Sequence, residues 1–159
     1  MSDNDHLYRL GAGVMLLNRD GKIFVGARID NPEDAWQMPQ GGIDEDEEPW
    51  PAALRELEEE TGIAPALVEK LAEHPEQLRY DLPDEWRDKL WRGRWKGQTQ
   101  HWFLARFLGS DADVNLETHH PEFRAWKWVE PTQLPELIVP FKRDLYRRLI
   151  GDFAPYLKR

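Results

Sequence analysis

At 159 residues, with 40% hydrophobic and 32% charged side chains, the chain has the size and composition of one folded, soluble domain (1–159), not a disordered one. No apolar run approaches the roughly 20 residues of a membrane helix, the acidic start MSDNDHLYRL lacks a secretory pattern, and the absence of cysteine excludes disulfides and thiolate metal sites, so a cytoplasmic location is expected. The net charge of −9 argues against a nucleic-acid surface until it is located: residues 30–60 carry twelve acids and one base, Arg55, while the remainder carries 18 acids and 20 bases.

Tyr8–Asn18 runs apolar through GAGVMLL and reads as a strand. Asn18-Arg-Asp-Gly21 follows as a hairpin turn, Asp-Gly suiting type I′, and Lys22–Arg28 is the return strand. Asn31–Asp34 forms a loop around Pro32, and Ala35–Pro39 is short and extended. Gly41-Gly42 opens a helical stretch over 48–61, with prolines tolerated in its first turn, acids at 44–48 suiting the positive end of its dipole, and Thr61-Gly62 as its stop. Leu67–Leu71 and Gln77–Tyr80 read as strands, Pro83–Gln98 as a Trp- and Arg-rich connection, and Gln100–Phe107 and Phe123–Val129 as further strands. Pro131–Leu134 resembles a helix start, and Phe141–Phe153 is amphipathic through Leu145, Leu149 and Phe153. Strands interleaved with two main helices imply an α/β layered domain with a mixed sheet.

The acidic element sits on the first helix. With about 100° per residue, Glu56, Glu59 and Glu60 share an arc of ~100°, while Glu58 points away and Ala53, Leu54 and Leu57 form an apolar arc. Three carboxylates so placed repel one another unless they are solvated or share a hard cation such as Mg²⁺. The helix alone leaves both readings open.

Its flanks are more specific. Gly41, Glu47 and Arg55-Glu56-Leu57-Glu58-Glu59-Glu60-Thr61-Gly62-Ile63 match every required position of the Nudix box, Gx5Ex7REUxEExGU with U apolar. The chain therefore resembles the Nudix hydrolases. The resemblance implies an α/β/α sandwich with a mixed β-sheet and the box as loop–helix–loop. It implies Mg²⁺, with Mn²⁺ or another divalent cation as a substitute, held by Glu56, Glu59 and Glu60 with the backbone carbonyl near Gly41. Arg55 is expected to orient the glutamates, and Glu47 and Gln40 to support the site.

Similarity extends over residues 8–156, through WQMPQGG (36–42), WKGQ (95–98), QHWFL (100–104), PEF (121–123) and FKRDLYR (141–147). These recur in the branch that contains bacterial RNA pyrophosphohydrolases and asymmetrically cleaving diadenosine tetraphosphate hydrolases. In that branch the Glu of PEF, here Glu122, is a metal ligand or general base. Arg9, Arg28 and Lys142 are the matching candidates for polyphosphate contacts, and Tyr80 and Phe141 for the aromatics that sandwich a base. Phe141 reads equally as core at a helix start, whereas Tyr80, beside Arg79 and a charged loop, is expected to be accessible. Segment 86–96 (WRDKLWRGRWK) has three Trp, five basic residues and one acid, and is either a single-strand stacking platform or an amphipathic loop anchored by its Trp residues. His6, His74, His101, His119 and His120 show no zinc spacing. The leading expectation is release of pyrophosphate from 5′-triphosphorylated RNA. The alternative is cleavage of diadenosine tetraphosphate to ATP and AMP, and an intact box disfavours a non-catalytic nucleotide-binding module.

Overall fold

A computed structural model describes residues 5–30, 35–87, 94–119 and 121–157. The loop expected at 31–34, the middle of segment 86–96 with Trp91, and His120 lie outside the described residues. Among the described residues seven strands form one sheet: β1 (Tyr8–Leu17), β2 (Ile23–Arg28), β3 (Gln40–Gly42), β4 (Val68–Glu73), β5 (Leu78–Asp81), β6 (Gly97–Phe107) and β7 (Phe123–Val129). Their order is β4-β6-β1-β2-β7, with β3 on β1 and β5 on β6. β1 pairs with β6 in parallel from Tyr8↔Gly97 to Leu17↔Arg106, and every other pairing is antiparallel. The mixed sheet matches the expected class.

Alternation along β1 assigns the two faces. Ala12, Val14 and Leu16 point to the side covered by α1 (Pro49–Thr61), where Ala53, Leu57 and Ile63 meet Phe103, Ala105 and Phe123. Met15 and Leu17 point to the other side, against Leu145, Tyr146 and Leu149 of α4 (Arg143–Asp152) and Phe153 beyond it. His74 ties the β4–β5 connection to α4 through Asp152 at 2.7 Å. No helix among the described residues is long and apolar enough to cross a membrane.

Several boundaries differ from expectation for physical reasons. The first hairpin closes through Gly21 N donating to Asn18 O at 3.0 Å, so Arg19 and Asp20 are the central residues and the positive φ of 75° falls on Gly21, outside them. That is the longer loop with a left-handed glycine, not a two-residue type I′ turn. Glu48 lacks a side-chain cap bond, and no acid sits in the first turn of α1, because its prolines occupy that turn. The helix stops as expected, at Gly62 with φ 76°. β6 begins three residues before the expected strand: Gly97 approaches Tyr80 so closely that a Cβ there would lie 1.9 Å from its carbonyl oxygen. The polar run after Gly97 hides this extension from a hydrophobicity pattern, yet Gln98, Thr99 and Gln100 are all buried.

Candidate active site

The β1–β3 pairing sets Gly41 and Gly42 against Ala12 and Gly11, and α1 then leaves that edge. Between these elements, the start of β7 and residues 139–142 lies a cleft of about 570 Å³. It is lined by Arg9, Arg28, Gln40, Gly41, Glu56, Glu59, Tyr80, Glu122, Phe141 and Lys142, all named above, and by Asp30, Gln37, Gly42, Leu82, Trp86, Gln98 and Val139. Glu47, Arg55 and Glu60 stand outside its lining.

Arg55 organises the acidic wall. Its Nε and Nη2 donate to the two carboxylate oxygens of Glu47 at 2.6 and 2.7 Å, and Nη2 also donates to the Gly42 carbonyl at 3.0 Å. Its Nη1 reaches Glu56 at 3.0 Å and Glu59 at 3.2 Å. The Arg55 bond, helped by the Asp44 backbone N–H, holds the Glu47 carboxyl down at about 2. Arg55 thereby links the loop after β3 to the helix and offsets the repulsion between Glu56 and Glu59.

The three helix carboxylates have unequal surroundings. Glu59 is exposed, Glu56 is partly buried, and Glu60 is only 3% exposed. Burial raises the Glu56 carboxyl in spite of Arg55. It raises the Glu60 carboxyl well above the ordinary range, and the neighbouring Glu56 charge adds to the shift. Glu60 accepts the Gln40 backbone N–H at 3.1 Å. Gln40 is held in turn by Gln100 Nε2 at 2.8 Å, and Trp102 Nε1 donates to Gln100 at 2.9 Å. Gln98 and Gln100 escaped sequence reasoning as structural parts of the site, although both lie in recurring motifs, because isolated polar residues in a strand carry no distinguishing pattern.

The cleft also carries three cations. Arg9 packs over β3, so a Cβ at Gly42 would lie 2.2 Å from its Nη2. Arg28 forms a two-point ion pair with Asp30, both contacts 2.8 Å, and stands 3.6 Å from Glu122. Lys142 is buried, its Nζ 4.9 Å from the centre of the Tyr80 ring, and desolvation pulls its ammonium down to about 8. Glu122 stands in the loop before β7, fixed by Ile29 N donating to its carbonyl at 2.9 Å.

The aromatic expectation needs correction. Tyr80 is 7% exposed, not accessible, and its ring centre lies 5.9 Å from that of Phe141 at an angle of 40°. The two rings pack on each other, and both line the cleft. Phe141 is partly buried and also meets Trp86 at 5.9 Å, which anchors that end of segment 86–96 to the body. His119 does not line the cleft.

Among the described residues no group of three or more His, Asp or Glu is drawn together to hold a metal ion. Arg55 engages Glu56 and Glu59, while the Gln40 N–H engages Glu60. The donor chemistry nonetheless fits a hard divalent cation. These are carboxylate oxygens, two of them on residues whose charge burial penalises, and a Cβ at Gly41 would lie 2.1 Å from Glu56 Oε2, so glycine admits that carboxylate against the backbone.

A family model described as the NUDIX domain matches residues 7–149. An RNA pyrophosphohydrolase of Sphingopyxis alaskensis is 57% identical over 156 residues, covering 98% of this chain and 99% of that protein. One from Novosphingobium aromaticivorans is 58% identical over 148 residues, with 92% of each chain covered. Among solved structures, a Caenorhabditis elegans Ap4A hydrolase complex superposes with a TM-score of 0.67 at 23% identity, covering 92% of this chain and 98% of that one. The Escherichia coli dihydroneopterin triphosphate pyrophosphohydrolase gives 0.68 at 19%, covering 92% and 99%. At these identities the structural likeness speaks for the fold alone.

Proposed function

This chain belongs to the Nudix hydrolases, and on that premise we propose that it removes pyrophosphate from the 5′-triphosphate end of RNA, leaving a 5′-monophosphate. The observation that carries this reading is the meeting, within one cleft, of Arg9, Arg28 and Lys142 with Glu56, Glu59 and Glu122. The names of the relatives that are more than half identical over nearly the whole chain support it.

In this reading Arg9, Arg28 and Lys142 bind phosphate oxygens. Glu56, Glu59, Glu60 and Glu122, with the Gly41 carbonyl, are the proposed cation ligands. A bound Mg²⁺ supplies positive charge that acidifies water and offsets charge on the phosphates. For this set to converge, Glu56 and Glu59 must turn from Arg55 Nη1, which remains on Glu47 through its other two nitrogens. A water oxygen then bonds to phosphorus, the anhydride P–O bond breaks, and pyrophosphate leaves. The Glu122 carboxylate accepts the proton that water gives up.

The test is the purified protein with Mg²⁺, assayed on 5′-triphosphorylated RNA and on diadenosine tetraphosphate. A higher kcat/KM on RNA is expected, and preference for the dinucleotide by orders of magnitude overturns the RNA assignment. Glu59→Gln is expected to lower kcat by at least about 100-fold. Unchanged rates on both substrates refute the site.

A further inference from the structure

We propose that Gln37 is the specificity-determining residue of the cleft, donating its side-chain N–H₂ to an acceptor on the edge of a nucleobase. This rests on the nucleotide-hydrolase reading above. Gln37 is 7% exposed. Among the described residues three buried side-chain polar atoms have no hydrogen-bond partner: Gln37 Nε2, Arg87 Nε and Thr118 Oγ1. Of these residues only Gln37 lines the cleft. A buried donor left unmet is costly, and a ligand that meets it gains what the apo protein forgoes.

The surrounding chain keeps Gln37 in place. Its backbone N–H and C=O both pair with Gly26, at 2.9 and 2.8 Å. On one side, Trp36 N donates to Leu137 O at 2.7 Å, and the Trp36 ring lies under the Lys127 ammonium at 4.2 Å. On the other, Met38 N receives no freedom either: it donates to the buried Tyr146 hydroxyl at 2.9 Å. Both neighbours pack into the α4-side core. The Gln37 backbone is therefore fixed at the cleft, and its amide nitrogen, itself without accessible surface, meets a base by a turn of the side chain alone.

Its chemistry also suits a base better than a phosphate. Three cations already line the cleft for the phosphates, whereas Gln37 is neutral. Leu82, Val139 and Phe141 supply apolar surface in the same cleft for the flat faces of a base. A carboxamide is matched to the acceptor and donor pattern of a base edge.

The test is kcat/KM on sixteen 5′-triphosphorylated RNAs that differ only in their first two nucleotides. The wild type is expected to prefer one base at one of these positions. Gln37→Met, which keeps the volume and removes the donor, lowers turnover of the preferred RNA by at least about tenfold, chiefly through KM, and leaves the others nearly unchanged. Gln37→Glu, an acceptor, shifts the ranking toward bases with an amino group at that edge. On the wild-type protein, an RNA whose preferred base lacks the relevant acceptor loses a similar factor, a measurement that does not depend on either variant folding. Equal turnover of all sixteen RNAs, an unaltered ranking in both variants, or a uniform loss across all bases overturns the proposal. If no RNA is hydrolysed, the proposed function fails, and the same comparison on diadenosine against diguanosine tetraphosphate still decides the role of Gln37.

Discussion

Replacing Lys142 with Met is expected to stabilise the protein while weakening substrate binding. The Lys142 ammonium is buried, and desolvation moves it from its ordinary 10.5 to about 8. At pH 7 that shift corresponds to about 3 kcal/mol of destabilisation. The contact with the Tyr80 ring returns about 1 kcal/mol and is lost in the variant. The expected net gain is about 2 kcal/mol, which for a chain of this size raises Tm by about 4–8 °C. The pH dependence is a second signature. Between about 8 and 10.5 the unfolded chain holds the proton that the folded one has released, so wild-type stability rises with pH through that window. The advantage of Lys142→Met is therefore full at pH 7 and fades as pH approaches 10.5. Calorimetric or fluorescence melts of both proteins across pH 7–10.5 measure it. A variant that melts at or below wild type at pH 7, or a gain that does not shrink by pH 10, refutes the reasoning.

Gly41→Ala places a methyl 2.1 Å from the end of the flexible Glu56 side chain, so Tm is expected to change little while divalent-cation affinity and kcat fall together. Titration calorimetry with Mg²⁺ alongside the melt separates the two effects. Gly62→Ala forces a side chain onto φ 76° and within 2.7 Å of the Asn115 carbonyl, at a cost of about 1–3 kcal/mol visible as a lower denaturation midpoint. Glu47→Gln loses a carboxylate whose pairing with Arg55 stabilises the fold above its ordinary 4.5 and ceases to do so as pH falls toward about 2. The variant should be less stable than wild type by about 1 kcal/mol at pH 7, after solvent screening, with the difference closing by pH 2.

How much was legible depended on whether a residue acts through spacing or through tertiary contact. The box glycines and glutamates lie within 23 consecutive residues, and local helix geometry already places Glu56 between Glu59 and Glu60. β7 spans Phe123–Val129 as its apolar pattern indicates, and α1 stops at its glycine. Burial of Glu60 was invisible, since it arises from the arrival of Gln40 and the floor of the sheet over that face of the helix. Tyr80 was misread because Arg79 and Asp81 beside it are exposed while its own side chain alternates inward beneath Phe141 and Lys142. The early start of β6 was hidden by glutamines that are buried only because they bond one another and Gln40. Gln37 carried no periodic signal, and its interest comes from a hydrogen bond that is missing.

The parallel pairing of β1 with β6 has a consequence for how the enzyme is made. Residues 8–17 wait for residues 97–106, so the strand bearing Arg9 leaves the ribosome long before the partner that fixes it. The acidic helix is complete by Thr61, with β1 already made to receive it, yet β6, which completes the sheet under it, arrives some seconds later at roughly 5–20 residues per second, and Lys142 later still. Until then the sheet that buries Glu60 is incomplete, and of the three cleft cations Lys142 is still to come. Interrupted translation therefore releases acidic fragments without the completed cleft, and the hydrolase is assembled only after most of the message has been read.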